Sequence, residues 1–176
     1  MGNKPQYLII HHEAGSNGFT GVNNYHKMLG DFKSSLDWDI GYHYYIAKDG
    51  KITQGRADTD EGAHTVGMNL SSLGICLEGN FNYTKPSILQ LTALKGLLSR
   101  KMNEYNILPD NIKGHRNFKL KDCPGTLWSE AEIKELFVPD ATYIQRLMLM
   151  IQILILQIKL KTGFIGRNNP DEREDI

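Results

Sequence analysis

Apolar positions fall in short blocks separated by polar, glycine-dotted stretches, and the spacing inside each block predicts its element. Tyr7 to Ile10 is a continuous apolar run of strand length that ends in His11-His12, so both histidines sit at the end of a buried strand. Gly21 to Leu29 is compatible with a helix. Gly41 to Ala47 and Ile52 to Gly55 flank Lys48-Asp49-Gly50-Lys51, and the Asp-Gly pair predicts a hairpin because glycine tolerates the positive φ of a tight turn. A polar stretch from Arg56 to Leu70 then leads into Leu73 to Leu77, a further apolar strand that ends at Glu78-Gly79.

After Pro86, which suits a first helical turn, Ile88, Leu91, Leu94, Leu98, Met102 and Tyr105 recur at spacings of three and four and so share one helical face. A polar segment from Pro109 to Gly125 reads as a loop. Ser129 then precedes Glu130, Glu132 and the Leu136-Phe137 pair, the pattern of an N-capped short helix with acidic residues in its first turn. Strands and helices mix without strict alternation, which places the fold class at α/β or α+β.

Beyond Pro139 the pattern changes, and a boundary is expected there, dividing residues 1–138 from residues 139–176. Leu147 to Ile158 is apolar nearly all round and is followed by Lys159, Lys161 and Arg167. Ile144, Leu147, Ile151, Leu154 and Ile158 fit a heptad seam, which Met148, Leu149, Ile153, Ile155 and Leu156 widen. The uncharged run falls short of the ~20 apolar residues of a spanning helix. Residues 141–161 are therefore expected to self-associate or dock, with membrane contact as the alternative. The acidic ending, Asp171 to Asp175, weighs against a purely cationic tail.

The whole chain has 176 residues, enough for one domain with a real core plus an appendage. Its 20 basic and 20 acidic side chains cancel, so no global positive field draws nucleic acid to it. Two cysteines, Cys76 and Cys123, are too few for a disulfide framework and read as separate thiols. Met1-Gly-Asn-Lys-Pro5 runs straight into the first strand without a basic leader and long apolar segment, so synthesis in the cytoplasm without a signal peptide is expected.

Histidine and cysteine placement narrows the chemistry. His115 and Cys123 flank a polar loop, and the first strand ends in two further histidines. Side chains alternate across a strand, so only one of His11 and His12 can share a metal with His115 and Cys123. Imidazole and thiolate both suit zinc. Three protein ligands leave a fourth position for water, as hydrolytic zinc requires. His43 and His26 read as packing or capping residues, and Cys76, inside an apolar strand, as an inert thiol.

At these residues the chain resembles the zinc-dependent N-acetylmuramoyl-L-alanine amidases typified by amidase-type phage lysozymes, the superfamily of the peptidoglycan recognition proteins. The resemblance runs from Tyr7 to about Phe137. It rests on Ile9-Ile-His11-His12, Gly41-Tyr42-His43-Tyr44, Asp49-Gly50, Gly62-Ala-His64-Thr65-Val-Gly-Met-Asn69, Leu73 to Gly79, Gly114-His115-Arg116 and Lys121-Asp-Cys123-Pro-Gly125. It departs between His26 and Gly41, where residues such as Asp31-Phe-Lys-Ser-Ser-Leu36 lengthen the segment before Trp38.

The resemblance implies an α/β fold, a mixed central sheet flanked by helices, with a substrate groove on one face and one zinc ion held by His11, His115 and Cys123. It implies Tyr42 and Lys121 as catalytic residues, and places His64, with His12, Thr65 and Asn69, against the substrate. The implied substrate is bacterial peptidoglycan and the implied setting is an endolysin that acts on the cell wall after release. Recognition-only relatives commonly lack the cysteine ligand, so Cys123 favours catalysis over a binding module.

Overall fold

The computed structural model describes residues 2–30, 33–136 and 148–159. The boundary residue Pro139, the seam positions Ile144 and Leu147, the basic residues Lys161 and Arg167, and Asp31 and Phe32 of the lengthened segment lie outside the described residues. The chain divides into two units, Met1–Phe137 and Val138–Ile176. In the second unit, residues 148–159 are helical. Among the described residues no helix is long and apolar enough to cross a membrane.

In the first unit the elements follow the order β1 (Tyr7–His12), α1 (Gly18–Leu29), β2 (Tyr44–Ile46), β3 (Ile52–Gln54), β4 (Ser72–Leu77), α2 (Ile88–Tyr105), β5 (Ile112–Gly114) and α3 (Glu130–Glu135). The five strands form one mixed sheet in the order β3-β2-β4-β1-β5. β1 runs parallel to β4 on one side and to β5 on the other, and β2 is parallel to β4 and antiparallel to β3. The class is α/β, with helices around a central sheet.

Side-chain alternation splits the core between the two faces of the sheet. Leu8 and Ile10 of β1, Tyr44 and Ile46 of β2, and Leu73, Ile75 and Leu77 of β4 pack with Leu94, Leu97 and Leu98 of α2 and with Phe81, Trp128 and Ile133. On the opposite face Tyr45 and Cys76 pack with Val22 of α1 and with Ile40. His12 follows the parity of Leu8 and Ile10, so His11 takes the α1 face.

As expected, the first strand ends in both histidines: β1 runs through His12 because its partner β4 continues alongside, pairing His11 with Cys76 and His12 with Leu77. Two other expectations change in detail. The hairpin ladder is confined to Tyr44–Ile46 and Ile52–Gln54, with the expected turn at Gly50, whose φ of +83° suits glycine. The Pro109–Gly125 loop contains β5, flanked by 3-10 turns at Pro109–Asn111 and His115–Asn117. Three residues are too few to show alternation, and β5 is ordered by pairing with β1.

Helix ends follow local chemistry. Ser87 caps α2 and Ser129 caps α3, each in a reciprocal capping box, with Gln90 and Glu132 respectively. Pro86 therefore precedes the cap of α2 rather than entering its first turn.

Candidate metal centre

β1 delivers His11, the turn after β5 delivers His115, and the loop that follows delivers Cys123. One ligand atom from each lies within 4.8 Å of the others. Cys123 Sγ is 3.6 Å from His11 Nδ1, and the His11 and His115 rings are 4.5 Å apart between centroids. These residues border a cavity of about 380 Å³ that is also lined by His12, Tyr42, Asn82, Lys121 and Asp122.

Burial controls the protonation of this cluster. It holds His11 well below the usual imidazole range, and neighbouring His64 and His115 add to the effect. Burial, reinforced by the Lys121 and Lys119 charges, brings His115 down to about 4. The imidazoles are thus neutral near pH 7, the state in which they donate to a metal. Burial pushes Cys123 up to about 11, against a backbone hydrogen bond from His12 and the charges of Arg116 and Lys121. A metal ion would bind the thiolate and release its proton.

Tyr42 stands beside this cluster, its ring 5.0 Å from that of His11 and 5.4 Å from that of His26. Desolvation, followed by the influence of Cys76 and Cys123, raises its pKa well above the ordinary phenol value. Tyr42 is therefore a phenol, a hydrogen-bond donor rather than a ready base. Lys121 lies exposed on the cavity rim. His12 faces the cavity from the other side of β1, and its Nδ1 accepts the Phe81 backbone N–H at 3.1 Å.

The other three residues expected against substrate are placed differently. His64 and Thr65 sit behind His11: His64 Nδ1 is 3.1 Å, and Thr65 Oγ1 3.4 Å, from His11 Nε2. Asn69 Oδ1 accepts the backbone N–H groups of His64 and Thr65, which closes their loop. Asn69 also lines a separate cavity of about 420 Å³ with Lys33, Arg56, Asp60 and Glu61.

The residues read as structural are structural. His43 is fully buried, with Nδ1 accepting the Gly74 N–H and Nε2 3.1 Å from the Asp60 carbonyl oxygen. His26 Nδ1 accepts the Gly41 N–H at 2.7 Å, securing the residue before Tyr42. Cys76 is fully buried and its thiol is raised well above the usual range by desolvation.

Two supports carried no sequence signal. Asn23 Oδ1 accepts the backbone N–H groups of Asp39 and Ile40, tying the approach to Tyr42 onto α1. Glu13 accepts the Tyr45 hydroxyl and the Asn17 N–H, and borders a cavity of about 310 Å³ that also reaches Tyr42. Single polar residues of this kind form no spacing pattern, so only the contacts reveal them.

Residues 1–126 match the family model described as N-acetylmuramoyl-L-alanine amidase. Peptidoglycan-recognition protein SC2 of Drosophila melanogaster is 36% identical over 136 residues, a stretch covering 74% of each chain. The structure of N-acetylmuramoyl-L-alanine amidase LysC from Clostridium intestinale URNW superposes with a TM-score of 0.68 and 36% identity, covering 76% of this chain and 85% of that one. The endolysine N-acetylmuramoyl-L-alanine amidase LysCS from the same organism gives the same TM-score and identity, over 76% and 83%.

Proposed function

The chain belongs to the N-acetylmuramoyl-L-alanine amidase family, and from that premise we propose that it is a zinc-dependent member that acts as an endolysin. It hydrolyses the amide between N-acetylmuramic acid and L-alanine in bacterial peptidoglycan. The observation that carries this reading is the cluster of His11, His115 and Cys123 donors, all within 4.8 Å, opening on a cavity shared with Tyr42 and Lys121.

The donor set fits zinc. Two neutral imidazoles and one cysteine sulfur match its preferences, and three protein donors beside an open cavity match the composition of hydrolytic rather than closed structural sites. When bound there, zinc supplies Lewis-acid polarisation and lowers the pKa of water toward neutrality.

The chain's own groups do the rest. Lys121 holds an ammonium at the cavity rim, where it steadies negative charge developing on the scissile carbonyl oxygen. Tyr42 stays protonated and donates a hydrogen bond that orients the reacting oxygen. His12 has Nδ1 occupied by Phe81, which leaves Nε2 for the muramyl group or its peptide. For residues 141–161 the corresponding proposal is self-association, which detergent-sensitive binding to liposomes would replace with membrane contact.

One observation favours a second reading, a peptidoglycan-binding recognition module: the 36% identity to a peptidoglycan-recognition protein. Digestion of purified peptidoglycan with and without a chelator separates the two. Chelator-sensitive release of new amino termini, without new reducing sugars, supports the amidase; binding with neither product supports the recognition module.

A further inference from the structure

The two ring nitrogens of His11 face different partners. Nδ1 faces Cys123, while Nε2 meets His64 Nδ1 at 3.1 Å and Thr65 Oγ1 at 3.4 Å. We propose that His64, assisted by Thr65, is a positioning residue that fixes the proton and orientation of His11, rather than a group that touches the muramyl peptide. The proposal rests on the metal-site reading of His11, His115 and Cys123.

An imidazole that offers the Nδ1 lone pair to a metal carries its hydrogen on Nε2, and that hydrogen needs an acceptor. With its own hydrogen on Nε2, His64 offers Nδ1 as such an acceptor, and a second lies beside it in the Thr65 hydroxyl, 3.0 Å from His64 Nδ1. With its hydrogen held there, His11 keeps the tautomer and ring plane that point Nδ1 at Cys123. Thr65 is almost fully buried at 1% exposure, so water does not replace its hydroxyl.

The fold is also shaped to hold the His64 imidazole in that place. A Cβ added at Gly62 or at Gly74 would lie 2.5 Å from His64 ring atoms. Both sites therefore admit only glycine while the ring keeps this position. Asn69 pins the His64 backbone N–H, and the His43 ring meets the His64 ring edge to face at 5.7 Å. His64 Nε2 is buried and, among the described residues, has no hydrogen-bond partner. Nδ1 is thus engaged by His11 and Thr65, and His64 is not among the residues that line the cavity beside His11, His115 and Cys123.

The test compares His64→Leu, His64→Asn and Thr65→Val with the unaltered chain. His64→Asn retains an acceptor near the position of Nδ1, and Thr65→Val preserves shape. Zinc affinity is measured by competition with a chromophoric chelator, and the His11 tautomer by ¹⁵N NMR of the metal-free chain. His64→Leu is expected to weaken zinc binding by about 10- to 100-fold, the usual effect of losing such a partner, and to shift His11 away from the Nε2–H form. Thr65→Val weakens zinc several-fold, and His64→Asn restores most of the affinity lost in His64→Leu.

Unchanged affinity and tautomer in His64→Leu, with a raised KM on peptidoglycan for the zinc-saturated protein, would overturn the proposal and assign His64 to the substrate. Weakened affinity with an unchanged His11 signature would also overturn it, as general structural damage. If His64→Leu does not fold, the Thr65→Val and His64→Asn measurements decide: unchanged affinity and tautomer in Thr65→Val, or loss of the Nε2–H form in a folded His64→Asn, counts against it. Absence of amidase activity in the unaltered chain would remove the amidase reading while leaving the affinity and tautomer results interpretable.

Discussion

Cys123 and Lys121 are two positions apart and border one cavity, and the proposed function gives them separable tasks. Cys123→Ala is expected to lose zinc and activity together, as metal analysis after dialysis would show. Lys121→Ala is expected to keep zinc and lose roughly 10²- to 10³-fold in kcat, the range for removing one oxyanion-stabilising group. Loss of zinc from Lys121→Ala would rule out that role. The grouping of His11, His115 and Cys123 was legible in residue type and motif context, and the structure brings those three side chains together; Tyr42 was singled out by the family resemblance and lies beside them. Glu13 and Asn23 were not legible, since each acts through one or two backbone or hydroxyl groups distant in sequence.

His43 gives a pH prediction at the same scale. Burial lowers its pKa from 6.5 to about 4 in the folded chain. Between those values the unfolded chain binds a proton that the folded chain does not, so stability falls as pH drops from about 6.5 and the loss is complete near 4. The contribution is roughly 3 kcal/mol at neutral pH. Urea titrations across that window should show a shallower pH dependence in His43→Asn than in the unaltered chain; equal slopes would contradict the assignment.

Among the elements, α2 was the most legible, because eighteen residues allow its three-four periodicity to repeat several times. Its anchor was hidden. Lys101, only 7% exposed, donates to Asp58 at 2.5 Å and to Glu104 at 2.7 Å, while the Tyr44 and Tyr105 hydroxyls also donate to Asp58. In the sequence Lys101 and Asp58 look like ordinary surface charges, 43 positions apart. Lys101→Met leaves a partly buried carboxylate without its cation and is expected to cost about 3–5 kcal/mol. Thermal melts read this cost; a change below ~1 kcal/mol, the level of a surface pair, would contradict it.

At the scale of the molecule, the sheet order makes β4 and β5 the neighbours of β1, and thereby gathers His11 and His115 from opposite ends of the first unit. A metal held only by that gathered state stabilises it by mass action, about 2.7 kcal/mol at a free concentration of 100 times Kd. Added zinc should therefore raise the Tm of the metal-free chain, and the increase should vanish in Cys123→Ala. An equal shift in both proteins would place the stabilising ion elsewhere.

The sequence alone determined the β1 strand, the Asp49-Gly50 hairpin, β4, the face of α2, the cap of α3 and a histidine-cysteine set suited to a metal. These features are local: periodicity, turn chemistry and residue type act over a few neighbouring positions. Only the tertiary structure decided that β5 is a strand, that Lys101 is buried against Asp58 and that His64 stands behind His11. Each depends on groups brought together by strand pairing or close packing, and no spacing along the chain encodes such contacts.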